Sequence, residues 1–133
     1  VLPLAGLHLL LAEDNELNSE IATALLEGQG ASITAVENGR LALEAIQNAA
    51  PRTYDAILMD VMMPEMNGLE ATRCIRAFEG KGPGEGTPII AMTANVFADD
   101  VKACLDAGMN SHVGKPLDMK VLIGEILKYT NAR

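Results

Sequence analysis

The sequence predicts one doubly wound α/β domain with a five-stranded parallel sheet, on three observations. Five short strand-like segments alternate with five segments of helical spacing, and most of the connections are short. Residues 56–59 form an uncharged run of mainly large apolar side chains, as in a strand covered on both faces. The second segment is amphipathic and the fifth is short, so both suit the edges of a sheet of order 2-1-3-4-5. Right-handed crossovers are then expected, with the first and third strands side by side.

Composition narrows the classes of function. The chain has 133 residues, 49% of them hydrophobic and 3% aromatic, which predicts one domain with an aliphatic and methionine core. The formal charge of -8 disfavours nonspecific binding to nucleic acid or an anionic membrane, and it suits a cation site. Cys74 and Cys104 lack metal-ligand spacing and are interpreted as reduced structural thiols. No stretch reaches the roughly 18 apolar residues of a membrane span, so a cytoplasmic location is expected.

The first two units each join a strand to a helix. Residues 7–12 form an apolar run that ends at Glu13 and Asp14, and Asn15 can cap the helix that follows. The apolar residues that recur at helical spacing in this helix are Leu17, Ile21, Ala24 and Leu25. In residues 31–36, small or polar residues alternate with Ile33 and Val36, which predicts a less buried edge strand before the second helix.

The other three strands also end at polar residues. The third strand ends at Asp60, the fourth at Thr93 and the short fifth at Lys115. Between the third helix and the fourth strand, residues 79–86 contain four glycines and a proline, which predicts an exposed flexible connection. This connection is not a phosphate-binding loop, because Lys81 is followed by Gly-Pro rather than by Ser or Thr.

Four of the five strand ends thus carry a side chain that can contact a phosphoryl group or its metal. These side chains are Glu13, Asp14, Asp60, Thr93 and Lys115. Three carboxylates at one edge of a sheet repel one another, which implies a divalent cation among them, with Mg²⁺ preferred and Mn²⁺ as a substitute. Asp60 can attack phosphorus to form an acyl phosphate. Lys115 would neutralise phosphate charge, and the Thr93 hydroxyl would donate a hydrogen bond.

Four strings in order and at the right spacing resemble the receiver domain of bacterial response regulators. They are Leu-Leu-Ala-Glu-Asp-Asn at 10 to 15, Leu-Met-Asp-Val-Met-Met-Pro-Glu-Met-Asn-Gly at 58 to 68, Ala-Met-Thr-Ala-Asn at 91 to 95 and Gly-Lys-Pro at 114 to 116. The chain looks most like the receivers fused to hybrid sensor histidine kinases, and the resemblance covers residues 7 to about 129. It implies a flavodoxin-like fold.

The resemblance also implies roles for individual residues. Asp60 would take the phosphoryl group from a phosphohistidine on a histidine kinase or a histidine phosphotransfer domain. Glu13, Asp14 and Asp60 would bind Mg²⁺ together with the backbone carbonyl of Met62. Lys115 and Thr93 would sense the phosphate, and the Lys115–Pro116 peptide bond is expected to be cis. The exposed side between the fourth and fifth helices would be the signalling face.

Two positions depart from the family pattern. His112 stands where the family usually has a switch aromatic, so the coupling of Thr93 to a rotating ring is in question at this residue. Met62 cannot orient an attacking water with its side chain, so the lifetime of the phosphorylated state is not expected to be shortened there. Soft-metal binding by Met62, Met63 and Met66 is the alternative to packing, and packing is favoured because no Cys or His accompanies them.

The preferred interpretation is a phosphoacceptor module that catalyses only its own phosphorylation. One rival is a Mg²⁺-dependent phosphatase with an aspartate nucleophile, which needs a second acid where Met62 stands and a substrate-covering cap. The other is a receiver-like module that binds partners without phosphorylation, against which intact Asp60 and Lys115 argue. The domain is expected to be a monomer or weak dimer without nucleic-acid or membrane contacts.

The expected domain limits place a single receiver domain at residues 7–130. Residues 1–6 lack an initiator Met and are interpreted as a linker remnant of a longer protein, and residues 131–133 as a tail. That longer protein would be a hybrid histidine kinase, with this domain on the cytoplasmic side if the kinase is membrane-bound.

Overall fold

The computed structural model describes residues 2–94 and 98–131. Asn95, which ends the third motif, and part of each expected terminal segment lie outside these residues. The five strands are β1 (His8–Ala12), β2 (Ser32–Val36), β3 (Ala56–Asp60), β4 (Ile89–Thr93) and β5 (Ser111–Gly114). The five helices are α1 (Glu16–Gly28), α2 (Gly39–Asn48), α3 (Gly68–Glu79), α4 (Ala98–Ala107) and α5 (Met119–Asn131). The predicted alternation of strands and helices is confirmed.

All strand pairs are parallel, and the sheet order is β2-β1-β3-β4-β5, as predicted. Every residue of β3 and β4 is buried, whereas the edge strand β2 has none that is fully buried. The uncharged central run therefore lies where helices cover both faces of the sheet. The strand order also brings β1 and β3 side by side at the switch point, where ligands of open α/β sheets bind.

Two apolar clusters fill the space between the sheet and its helices. One is built around Leu9, Leu11 and Leu58 and includes Leu122 and Ile126 of α5. The other lies on the opposite face, between the sheet and the helices α2, α3 and α4. Alternate residues of β1, β3 and β4 enter opposite clusters, because successive strand side chains point to opposite faces. Among the described residues no helix combines the length and the apolarity needed to cross a membrane.

Helix starts follow the expected capping chemistry. The Asn15 side chain accepts a hydrogen bond from the backbone N–H of Asn18 at 2.9 Å, and Asn38 caps α2 through Leu41 in the same way. At α5 the Asp118 carboxylate accepts from Lys120 N at 2.9 Å. Each cap satisfies a backbone N–H that lacks a partner within its helix. The caps therefore fix where each helix begins after the chain leaves the edge of the sheet.

The helical spacing in α1 identifies the helix but not its buried face. Leu17, Ile21 and Leu25 are 64%, 51% and 44% exposed, and the residues of α1 that enter the core are Ala22 and Leu26. An amphipathic pattern predicts that the larger apolar stripe faces the core. In this helix a second apolar stripe, made of Leu17, Ile21 and Leu25 and called the α1 stripe below, faces solvent instead.

The glycine-rich connection is anchored rather than free along its length. Arg76 of α3 is 9% exposed and donates to the carbonyl oxygens of Thr87 at 2.8 Å and Gly108 at 2.9 Å. Its guanidinium also contacts the Glu79 carboxylate at 3.1 Å, and that carboxylate accepts from the Thr87 hydroxyl at 2.6 Å. A buried charge needs such partners, and these contacts fasten α3 to the segments that precede β4 and β5. The predicted exposure is confirmed for residues 80–85, these contacts hold the ends of the connection, and its flexibility remains a prediction.

The first residues of the chain also contact the domain. Leu4 is fully buried in the cluster that contains Leu9, and its backbone N–H donates to the Gln29 carbonyl at 2.9 Å. The segment interpreted as a linker remnant therefore contributes one side chain to the core. The domain limits themselves remain predictions.

Candidate functional site

The carboxyl ends of four strands bring the predicted site residues together. Glu13 directly follows β1, Asp60 ends β3, Thr93 ends β4 and Lys115 follows β5. In the parallel register Asp60 lies beside Met92 of β4, one residue before Thr93. One cavity of about 290 Å³ is lined by all of these side chains together with Asp14 and Met62. Parallel pairing thus brings residues that are distant in the sequence together in one cleft.

Three carboxylates form the floor and rim of this cleft. One oxygen each from Glu13, Asp14 and Asp60 lies within 4.8 Å of the others, the only such acidic group in the described part of the chain. Glu13 and Asp60 are each 5% exposed, whereas Asp14 is exposed. Two of the three carboxylates are therefore buried, and the third is open to solvent.

Lys115 joins the two buried acids. Its Nζ lies 3.1 Å from Glu13 Oε2 and 2.9 Å from Asp60 Oδ2. Burial by itself lowers the pKa of Lys115, but its hydrogen bonds to Asp60 and Glu13 outweigh burial and the pKa is raised. Lys115 therefore stays an ammonium ion at neutral pH.

The pKa of Glu13 is raised, chiefly by burial. The backbone N–H of Asn15, which donates to Glu13 Oε1 at 3.1 Å, and the Lys115 ammonium oppose this shift, and the charge on Asp60 adds to it. A raised pKa in the folded state contributes stability that is present below the ordinary pKa of Glu and is lost as pH rises through the raised value. Ionisation of Glu13 therefore costs more free energy here than at an exposed Glu, and a nearby cation would offset that cost.

The backbone orients Asp60 as well. The amide N–H of Met62 donates to Asp60 Oδ1 at 3.4 Å, while Oδ2 contacts Lys115. Behind it, a Cβ on Gly68 would overlap the carbonyl oxygen of Asp60, so only glycine lets α3 start this close to the end of β3. The Gly68 N–H donates to the Val61 carbonyl at 2.9 Å, which closes the loop.

The donor set fits a divalent cation. Three carboxylates and one ammonium leave two net negative charges when all are ionised, which one divalent ion balances. Hard oxygen donors with an opening to solvent suit Mg²⁺, which keeps several waters, and no Cys or His belongs to this acidic group. Glu13, Asp14 and Asp60 would hold the ion.

The remaining predicted site residues also have defined places. Thr93 is 7% exposed and lines the cleft, and the Lys115–Pro116 peptide bond is cis, as the resemblance implies. His112 is half-buried on β5 and pairs with Ala91 of β4. The roles of Thr93 and His112 as switch residues remain predictions, and so does the Met62 carbonyl as a ligand.

A second, more apolar cavity was not predicted. It encloses about 530 Å³ next to the acidic cleft, and Glu13, Asn18 and Lys115 line both. Ile21 and Leu25 of the α1 stripe form its outer wall. The helical spacing of these residues was visible in the sequence, but periodicity alone does not tell which of two apolar stripes faces the core.

The fold and the site define the class of protein. It is a parallel α/β domain with an acidic cluster and a lysine at its switch point. The family model of the response regulator receiver domain matches residues 9–127. Sensor protein GacS of Pseudomonas syringae pv. syringae is 38% identical over 123 residues, which cover 92% of this chain and 13% of GacS. The chain belongs to the response regulator receiver domain family.

Two solved structures extend the comparison. The receiver domain of sensor histidine kinase PA1611 from Pseudomonas aeruginosa PAO1, with a magnesium ion in its active-site cleft, has a TM-score of 0.82 at 38% identity, covering 96% of this chain and 99% of that one. The receiver of Saccharomyces cerevisiae Ssk1, solved with the histidine phosphotransfer protein Ypd1, has a TM-score of 0.85 at 25% identity, covering 96% of this chain and 91% of that one.

Proposed function

We propose that this domain is a phosphoacceptor of a two-component phosphorelay, in which Asp60 takes a phosphoryl group from a phosphohistidine. The observation that supports it most is the position of Lys115 Nζ, within 3.1 Å of two buried carboxylates that belong to a three-acid cluster. A structural ion pair needs only one acid. A lysine shared between two acids beside a third suits a site that receives further negative charge.

The residues of the cleft have different roles in this reaction. An Asp60 oxygen attacks phosphorus, the O–P bond forms as the P–N bond of the donor breaks, and the electron pair returns to the imidazole nitrogen. Lys115 balances charge on the phosphoryl oxygens, and the Thr93 hydroxyl donates to one of them. No separate base is needed, because the Asp60 carboxylate already carries the attacking electron pair.

A divalent ion would be held by Glu13, Asp14 and Asp60, with the Met62 carbonyl as a further ligand. When bound, Mg²⁺ supplies positive charge for the phosphoryl oxygens as they gather negative charge. The magnesium ion in the PA1611 receiver supports this assignment. Mn²⁺ is proposed as a substitute because it accepts the same oxygen ligands.

The small-molecule test separates this proposal from its two rivals. The protein is incubated with acetyl phosphate and Mg²⁺, and its intact mass is followed with time. A phosphoacceptor forms a phosphoryl adduct on the protein, a phosphatase releases inorganic phosphate in repeated turnovers, and a phosphorylation-independent module does neither.

The partner is proposed to be a histidine kinase or a histidine phosphotransfer domain, located with this domain in the cytoplasm. The donor imidazole must reach Asp60, so the partner has to cover the surface around the cleft. The α1 stripe and the apolar cavity beside it form such a surface, and exposed apolar side chains of this size suit an interface. The Ypd1 complex of the Ssk1 receiver supports a partner of this kind.

Ile21→Ser is expected to slow transfer from a phosphorylated histidine phosphotransfer protein by about 10-fold, the cost of losing roughly 1 to 2 kcal/mol of apolar contact. Rapid-quench measurement of the two phosphoproteins gives the rate. Phosphorylation by acetyl phosphate should not change, because Ile21 lies outside the acidic cleft. Val121→Ser is the matched control, since Val121 is also 51% exposed but belongs to α5. Equal slowing of both variants would contradict the assignment of this face.

A further inference from the structure

Met62 is unlike the other six methionines. It is 77% exposed, whereas Met59, Met92 and Met109 are at most 1% exposed. The half-buried methionines, which are Met63, Met66 and Met119, all pack against one of the two apolar clusters. Packing, which was favoured for Met62 from the sequence, is therefore correct for its neighbours and wrong for Met62 itself.

Its position is the second unusual property. Met62 lines the acidic cleft together with Asp60 and Lys115, and its backbone N–H faces Asp60 Oδ1 at 3.4 Å. An exposed thioether at the mouth of this cleft gains little from burial and accepts hydrogen bonds only weakly. Burial in the core therefore does not account for its side chain.

A thioether that solvent reaches is open to oxidation by a peroxide. The sulfur attacks one peroxide oxygen, the O–O bond breaks, the sulfur is oxidised to a sulfoxide and the peroxide is reduced to water. The product is polar, and its oxygen accepts hydrogen bonds strongly. Oxidation of Met62 would therefore place a strong hydrogen-bond acceptor near Asp60, where the side chain now carries only a weak one.

We propose that Met62 is a peroxide-sensitive modification site, and that its sulfoxide shortens the lifetime of phosphorylated Asp60. This inference rests on the proposed phosphoacceptor function. In hydrolysis a water oxygen bonds to phosphorus, the bond between phosphorus and Asp60 breaks, and the water gives up a proton. The sulfoxide oxygen would accept a hydrogen bond from that water and orient it, which the thioether does not do.

The experiment has two readouts on the same samples. Protein is treated with hydrogen peroxide, and peptide mapping by mass spectrometry is expected to find Met62 oxidised at least about 10-fold faster than any other methionine, because access to solvent governs this reaction. The treated protein is then phosphorylated with acetyl phosphate and Mg²⁺, and loss of the adduct is timed. The lifetime is expected to fall about 2- to 10-fold, the effect of one net hydrogen bond on a rate.

Variants separate Met62 from other oxidation sites. Met62→Leu keeps an apolar side chain and should make the lifetime insensitive to peroxide, even if Cys74, which is half-buried, is oxidised. Met63→Leu, one residue away, should leave the response intact. Met62→Asn, which carries a polar acceptor permanently, should shorten the lifetime without peroxide. Methionine sulfoxide reductase should restore the lifetime of treated wild type.

The outcomes distinguish this inference from the function on which it rests. Faster oxidation of another methionine, or an unchanged or longer lifetime once Met62 is oxidised, overturns the inference and leaves the phosphoacceptor function standing. Absence of any adduct on untreated protein removes the proposed function, and the inference with it. Peptide mapping does not depend on phosphorylation, so it verifies the exposure of Met62 separately.

Discussion

Asp60→Asn is expected to abolish the phosphoryl adduct that we propose wild type forms with acetyl phosphate and Mg²⁺. An amide keeps the shape of the side chain but lacks the anionic oxygen that attacks phosphorus. Intact mass spectrometry measures the adduct directly. Asp106→Asn is the matched control, because Asp106 is an exposed acid on α4 away from the cleft, and its substitution should leave the adduct unchanged.

The folded state of Asp60→Asn should be at least as stable as wild type in metal-free buffer. The negative charge on Asp60 helps to raise the pKa of Glu13, so its removal relieves repulsion between the two buried acids. Thermal unfolding therefore distinguishes loss of the acceptor from loss of the fold. An adduct of unchanged yield on the Asp60→Asn protein would refute the assignment of the acceptor.

Lys115→Met is expected to slow adduct formation by about 100-fold, comparable to the loss of one preorganised donor in an anion-stabilising site. The ammonium of Lys115 contacts both Glu13 and Asp60, and Met fills similar space without charge. The rate at a fixed acetyl phosphate concentration is the measurement. Lys120→Met serves as the control, since Lys120 is an exposed lysine at the start of α5.

Excess Mg²⁺ should be present in this comparison, because Lys115→Met leaves Glu13 and Asp60 without their ammonium partner. A rate within about 3-fold of wild type would mean that Lys115 is structural, since an effect that small is below the roughly 1.5 to 3 kcal/mol of a hydrogen bond to a charged group. The group proposed to neutralise the phosphoryl oxygens would then not be Lys115.

The sequence predicts the fold and the cleft for the same physical reason. Buried parallel strands are recognisable in the sequence as apolar runs. Residues that directly follow such runs lie at one edge of the sheet. Asp60 and Lys115 are recognisable in this way, although 55 positions separate them. Their contact follows from strand order, which the amphipathic β2 and the short β5 indicate.

What the sequence does not predict depends on side-chain environment rather than on period. Leu17 and Ile21 look like core residues of α1, yet Ala22 and Leu26 fill that place. Met62 and Met63 are adjacent and chemically identical, and only Met63 packs against the core. In both cases the side of the backbone that faces the sheet determines which side chain is buried. The sequence pattern alone does not predict which side that is.

Calorimetric titration with Mg²⁺ tests the central claim most directly, namely that Glu13, Asp14 and Asp60 share one divalent ion. We expect one ion per chain near pH 7.5, at least about 10-fold weaker binding by Asp14→Asn, and binding that weakens as pH falls, because the raised pKa of Glu13 lets protons compete sooner than at an ordinary Glu. Binding of equal strength by wild type and Asp14→Asn, or no binding near pH 7.5, would contradict the account.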